Sequence, residues 1–201
     1  MTRVRRRRVL QLAGSSAVAT LAGLAGCLEG DGSADGSGDG NATAEELTPG
    51  DGELGDPDPL VEVDVVWLPS PAFEPGLVHV EPGGAVRWVV EGHRHDVTAY
   101  HPETYGPLRM PDDVEPWESD LLREGREFEH TFQEAGIYDY ADTRALCGTH
   151  ESLGAVGRVV VGWPDIEDEP AIAHDADSLP GRAGTVMNEY DERTRTVLES
   201  E

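Results

Sequence analysis

The chain has 201 residues, with 40 acidic side chains against 15 basic ones and a formal net charge of -25, which leaves room for one ordinary domain plus tails. Every basic residue is Arg, and a surface this acidic repels a phosphate backbone at almost every approach, which excludes nucleic acid as a partner. The composition also argues against a membrane-spanning protein, and the two cysteines, Cys27 and Cys147, lie in segments too different in character to form a disulfide framework.

The N-terminus carries Arg3, Arg5, Arg6, Arg7 and Arg8 ahead of a mostly apolar stretch from Val9 to Ala25, the charged head and apolar body of an export signal. Arg6-Arg7-Arg8-Val9-Leu10 resembles the twin-arginine pattern, which addresses proteins for export in an already folded state. The stretch ends in Leu24-Ala25-Gly26-Cys27, which resembles a lipobox, so residues 1–26 are expected to be removed and Cys27 lipidated. The mature chain would then carry 10 Arg against 40 acids, a charge of -30. Carboxylates at this density, with Arg and no Lys, suit a surface kept hydrated in concentrated salt, where screening removes most self-repulsion. An extreme halophile is the expected source.

Residues 27–59 are Gly, Asp, Ser, Glu and Pro with little to bury, and read as an acidic, disordered, lipid-anchored linker. It would hold a domain at the external face of the cell membrane without spanning it. From Leu60 the texture changes to short β-branched runs bounded by Pro and Gly, predicting strands at Leu60–Leu68, Leu77–Val80, Ala85–Val90, Asp96–Tyr100, Phe128–Phe132, Ile137–Tyr140 and Ala155–Val161. Seven short strands predict an antiparallel β-sandwich, with Glu81-Pro82-Gly83-Gly84 as its clearest turn. The acidic excursion from about Pro102 to Gly125, which contains Trp117, is too long for a hairpin loop, and such loops commonly carry function. Residues 163–201 read as an acidic linker followed by an amphipathic helix over Leu179–Leu198, its apolar face Ala183, Val186, Met187 and Tyr190 and its wet side Arg182, Arg193 and Arg195. Its apolar face predicts packing on the sandwich or on a partner.

One thiol remains in the exported part, in Leu146-Cys147-Gly148-Thr149-His150. A buried structural Cys, a nucleophile and a metal ligand are all open readings. Cys147 and His150 on one loop can face the same ion, and a thiolate with imidazoles is a soft set suited to copper. The chain also holds Phe73-Glu74-Pro75, then Val78, Val80, Gly84, Val86 and Trp88, then His95 ahead of Asp96-Val97-Thr98, and Gly157, Val159 and Val161 after the Cys-x-x-His loop.

That combination resembles the cupredoxins, the blue copper family of the plastocyanin and azurin class, and is most similar to the halocyanins of salt-loving microbes; the resemblance covers residues 60–162. It implies an all-β Greek-key sandwich of seven to eight strands, followed here by the C-terminal helix, and one copper ion cycling between Cu(I) and Cu(II). Carried onto this chain, it implies His95, Cys147 and His150 as ligands, with the edge of His150 exposed as the electron port. It also implies a monomeric electron carrier and no enzyme, with membrane-bound redox proteins as donor and acceptor.

Two positions depart from the family pattern. Where the weak axial Met is usual, five residues after the second His, the chain has Ala155, whose methyl cannot reach a metal. The Cys, which in the family follows the aromatic strand almost at once, is separated from Tyr138-Asp139-Tyr140 by Ala141-Asp142-Thr143-Arg144-Ala145-Leu146, read as an insertion. The missing Met leaves two other functions open: copper delivery, storage or sensing, and a small copper enzyme with an open axial position. Met110 and Met187 are expected to pack rather than ligate. His93 and His101 are secondary candidates that could bind a second metal, and His79 is expected on an exposed face.

Overall fold

The computed structural model describes residues 47–144 and 149–200. The export signal, the lipidation site at Cys27, the linker as far as residue 46 and Cys147 lie outside the described residues. Nine strands are present: β1 (Asp58–Val66), β2 (Ala72–Glu74), β3 (Leu77–Glu91), β4 (Arg94–His95), β5 (Thr98–Ala99), β6 (Leu122–Arg123), β7 (Glu127–Thr131), β8 (Gly136–Ala141) and β9 (Val156–Val161). Two helices follow, α1 (Pro170–Ala173) and α2 (Arg182–Leu198). Among the described residues no helix is long and apolar enough to cross a membrane.

Strand β1 shows the expected period of two, with Val61, Val63 and Val65 buried and Glu62 exposed. These valines join Phe73, Val78, Val86, Trp88, Trp117, Phe132, Tyr138 and Tyr140 in the main core of the sandwich. Each such side chain removed from water contributes roughly 1.5–3 kcal/mol. The sheet order is β2-β1-β3-β9-β8-β5, with β7 on β3, while β4 and β6 form a separate pair.

The pairing is mixed, because β1 and β9 both run parallel to β3, where alternation alone suggested an antiparallel sandwich. Glu81-Pro82-Gly83-Gly84 is not a turn between two strands. It is a bend inside β3, where Gly83 takes φ 86°, a conformation that costs a glycine little. Leu77–Val80 pair with β9 and Ala85–Val89 with β7, so one long strand changes partners at the bend.

The ordered body also begins earlier than residue 60. The amide of Gly50 donates to Leu60 O at 2.8 Å and the amide of His79 to Gly52 O at 3.2 Å. His79 itself is fully buried, not on an exposed face, accepting from the Gly55 amide at Nδ1 and bonding Gly162 O through Nε2. The backbone satisfies polar atoms there that a hydropathy pattern counts as unfavourable.

Strands β8 and β9 are buried along their whole length, which requires cover on both faces. Tyr138 and Tyr140 face the sandwich core. On the other face, Ala141 and Val156 pack with Leu179, Ala183 and Met187, and Ile137 packs with Ile166 and Ala171. The C-terminal helix thus lies on the sandwich, with Arg182, Arg193 and Arg195 in water. The excursion after Pro102 is also drawn down: Trp117 packs 5.4 Å from Trp88 and Met110 is fully buried. Its β6 segment pairs Leu122 with His95. The excursion is therefore core and support, and it contributes to the site by holding the backbone of β4 and by supplying Tyr105 to Glu151.

Candidate metal centre

His95 ends β4, and its neighbours are fixed by the strand that follows, since Thr98 and Ala99 pair with Ala141 and Tyr140 at the end of β8. The chain leaves β8 at Asp142 and returns at Ala155 in a loop closed by its own backbone. The Asp142 amide donates to Ala155 O at 3.0 Å, the Glu151 amide to Asp142 O at 3.0 Å, the Ala155 amide to His150 O at 3.0 Å and the His150 amide to Arg144 O at 2.8 Å. These bonds set His150 and Asp142 in fixed relation to each other.

Both imidazoles meet the same carboxylate oxygen. His95 Nδ1 lies 2.5 Å and His150 Nδ1 2.6 Å from Asp142 Oδ2, and the two rings sit 5.2 Å apart, tilted by 52°. His95 and Asp142 have no exposed side-chain surface and His150 has 1%. The other carboxylate oxygen, Oδ1, accepts from the amides of Arg144 at 3.1 Å and Asp96 at 3.4 Å. Burial pushes the Asp142 carboxyl upward, but the bonds from His150 and His95 outweigh it and hold the group below the usual range. It is a buried anion with its negative charge directed at two ring nitrogens.

A second layer steadies this arrangement. Asp96 accepts from the Thr143 amide at 2.6 Å and its hydroxyl at 2.9 Å, pinning the start of the loop. Glu151, buried beside His150, accepts from the hydroxyls of Tyr100 at 2.5 Å and Tyr105 at 2.6 Å. Burial, reinforced by the Glu151 charge, raises both tyrosines well above the ordinary phenol range. The indole of Trp67 packs against the rings of His150 at 5.3 Å and His93 at 4.6 Å.

His95, Asp142 and His150 place one donor atom each within 4.8 Å of one another, and they are the one such group of metal-binding side chains among the described residues. The structure thus brings together two of the three sequence candidates, while Cys147 lies outside the described residues. His93 is exposed at φ 43° and stacks on Trp67 outside the group. His101 accepts from the Glu103 amide and is likewise not part of it. Ala155 is buried in the main core and Met110 and Met187 pack as expected.

One expectation changes: the edge of His150 is not exposed, and the half-buried Trp67 packs against its ring. The stretch from Ala141 to Leu146, which as an insertion could either bulge out or remodel the site, begins by remodelling it: Ala141 belongs to β8, and Asp142, in the first position after it, is buried and bonded to His95 and His150. The sequence held a signal for this, because Asp142 follows Tyr138-Asp139-Tyr140 with only Ala141 between, close to where the resembled pattern has its Cys. Trp67 carried no comparable signal.

No family model and no curated protein matches this chain. Among solved structures, it is similar to a pseudoazurin from Sinorhizobium meliloti at 20% identity, over 69% of this chain and 98% of that one, with a TM-score of 0.53. It is also similar to native pseudoazurin from Hyphomicrobium denitrificans at 19% identity, over 67% and 97%, with a TM-score of 0.52. At this level of identity the likeness speaks for architecture, and the architecture of this chain is the cupredoxin β-sandwich.

Proposed function

We propose that this protein binds one copper ion at the pole of its sandwich and carries single electrons there. The observation that supports this most is the convergence of His95 and His150, distant in sequence, at one point sealed from water. Two imidazoles suit copper, and the thiol of Cys147, three residues before His150, adds a soft donor to the same loop. Copper held by such a set would supply a reversible one-electron couple. The protein's part is rigidity: the backbone bonds that tie Asp142 and Arg144 to His150, Glu151 and Ala155, the β4–β6 pair and the packing of Trp67 would limit what can rearrange when the charge changes. Ala155 stands where the resemblance would put a Met and offers no donor atom to a metal. No substrate bond is broken in this reading, and the protein is not an enzyme.

In its cellular setting, the export signal and lipobox would tether the domain through Cys27 to the external membrane face. There it would act as a monomer, exchanging electrons with membrane-bound redox proteins, and its acidic surface suits concentrated salt. A second reading, copper delivery, storage or sensing, is favoured by one feature, the buried carboxylate of Asp142 between the imidazoles, a hard anionic group beside the softer donors.

The test is a Cu(II) titration of the whole chain in concentrated salt, read by visible absorption and electron paramagnetic resonance, beside His95→Ala, His150→Ala and Cys147→Ser. One copper per chain, lost in both His variants and cycling reversibly by one electron, is the expected result. Copper uptake unchanged in both His variants sinks the proposal.

A further inference from the structure

The fold contains one histidine whose role is purely architectural, and it shows what a satisfied imidazole looks like here. His79 is fully buried and has a backbone partner at each ring nitrogen, the Gly55 amide at Nδ1 and Gly162 O at Nε2. His95 and His150 are as deeply buried, yet among the described residues Nε2 of each has no partner. Each is held by its Nδ1 alone, and both Nδ1 atoms point to the same oxygen. Buried polar atoms are normally paired, so hydrogen bonding within the fold does not account for these two rings.

The carboxylate between them is equally unusual. A buried anion carries a large desolvation cost unless charged partners answer it, and Asp142 Oδ2 meets only two ring nitrogens. The backbone around it is bonded on both sides, to Ala155 O and from Glu151 N, so the side chain is aimed and not merely trapped. Two imidazoles and a carboxylate, each offering one atom within 4.8 Å of the others, form the N₂O donor set that divalent first-row cations take.

We infer that Asp142 is itself a metal ligand, completing a His95-Asp142-His150 site for a divalent cation. This rests on the copper reading in using the same two histidines, but it changes the chemistry of the pole. A carboxylate is a hard, charged donor and favours Cu(II) over Cu(I), where a thiolate favours the reduced ion. By the usual order of stability, Cu(II) binds most tightly of the divalent first-row ions, and Zn(II) less tightly. On binding, the cation takes the place of any proton shared between Asp142 Oδ2 and the two Nδ1 atoms; a neutral ring keeps its one proton by carrying it at Nε2, a doubly protonated ring releases one to solvent, and no electron is transferred.

The test uses the full chain with Cu(II), Cu(I) and Zn(II) added singly against a competing chelator. Asp142→Asn preserves shape and removes the charge, and it is expected to weaken Cu(II) and Zn(II) at least tenfold while changing Cu(I) less; Cys147→Ser is expected to retain Zn(II). The double variant Asp142→Cys/Cys147→Ser reads position directly, because a thiolate bonded to Cu(II) gives an intense visible band. That band is expected if the side chain at 142 reaches the metal, and far-ultraviolet circular dichroism establishes that each variant is folded. Cu(II) and Zn(II) affinities of Asp142→Asn within twofold of the parent, or a folded double variant that binds Cu(II) without the band, would overturn the inference. In either case copper binding through His95, His150 and Cys147 would still stand. Absence of Cu(II) uptake by the parent chain overturns both readings together.

Discussion

Asp139 and Asp142 stand three residues apart at the end of β8, both buried, and they are answered in opposite ways. Asp139 faces the C-terminal helix and is saturated by permanent cations. Arg158 reaches its Oδ1 through Nε at 2.6 Å and its Oδ2 through Nη2 at 2.9 Å, and Arg109 Nε reaches Oδ2 at 2.8 Å. Arg158 continues to Asp191 at 2.6 Å and Thr194 at 3.2 Å on α2, and Arg109 to His174 O at 2.6 Å. Asp142 faces the other way and meets two imidazoles whose far nitrogens are left unpartnered. The first is an ionic seam of two carboxylates and two guanidiniums whose charges cancel, with Arg109 Nη2 3.7 Å from Asp191 and not hydrogen-bonded. The second is balanced only in part by the protein, which is the condition of a site that receives a cation.

The comparison is sharpest in a pair of matched substitutions. Asp139→Asn leaves two buried guanidiniums to share Asp191, and a loss of about 3–5 kcal/mol of unfolding free energy is expected, since removing one partner strands the others. Asp142→Asn is expected to cost only about 1–3 kcal/mol in the metal-free protein, because imidazoles can remain neutral where guanidiniums cannot. Urea unfolding of both variants in concentrated salt measures the difference, and equal losses would break the contrast. Addition of Zn(II) or Cu(II) should raise the stability of the parent and of Asp139→Asn, but much less that of Asp142→Asn.

A gentler effect belongs to Glu169, which accepts from the Ile137 amide at 2.9 Å just beyond the Asp139 seam. Burial pushes its carboxyl from the usual 4.5 to about 7, against the bond from Ile137 and the charge of Arg158. Between those values the folded form keeps a proton that the unfolded chain has released, so stability falls as pH rises from 4.5 to about 7 and levels off above. Partial solvent contact reduces the full linkage to roughly 1–2 kcal/mol. Glu169→Gln should flatten the pH dependence of the unfolding free energy over that window; an unchanged slope would mean that other groups govern it. The smallest effect is expected at the exposed pair Arg87–Glu129, bonded at 2.9 Å. Arg87→Ala should cost under ~1 kcal/mol, less in concentrated salt, and a larger loss would mean that surface charge matters here as much as buried charge.

Much of the architecture was legible in local pattern. The alternation in β1, the Trp88 strand, the valine-rich run of β9 and the spacing of Ala183, Val186, Met187 and Tyr190 are each local patterns that one segment carries alone. Parallel pairing of β1 and β9 with β3 was not legible, because strand direction depends on which segments meet, and the bend at Gly83 looks the same locally whether a strand ends or changes partners. Likewise Trp117 and Met110 sit in an acidic stretch whose neighbours suggest solvent, while the core draws in those two side chains individually.

By itself the sequence determined the class of the fold, the acidic and lysine-free composition, and the pair of histidines as candidates, since these depend on residue type and short spacing. Only the tertiary structure decided which groups share one point in space: that His95 and His150 converge on Asp142, that Trp67 and not the edge of His150 lies toward the surface, and that Asp139 and Asp142 face opposite sides of one strand. The reason is physical. A donor set is assembled by long-range packing, and the backbone bonds that aim Asp142 come from Ala155 and Glu151, residues whose proximity exists only once the loop has closed.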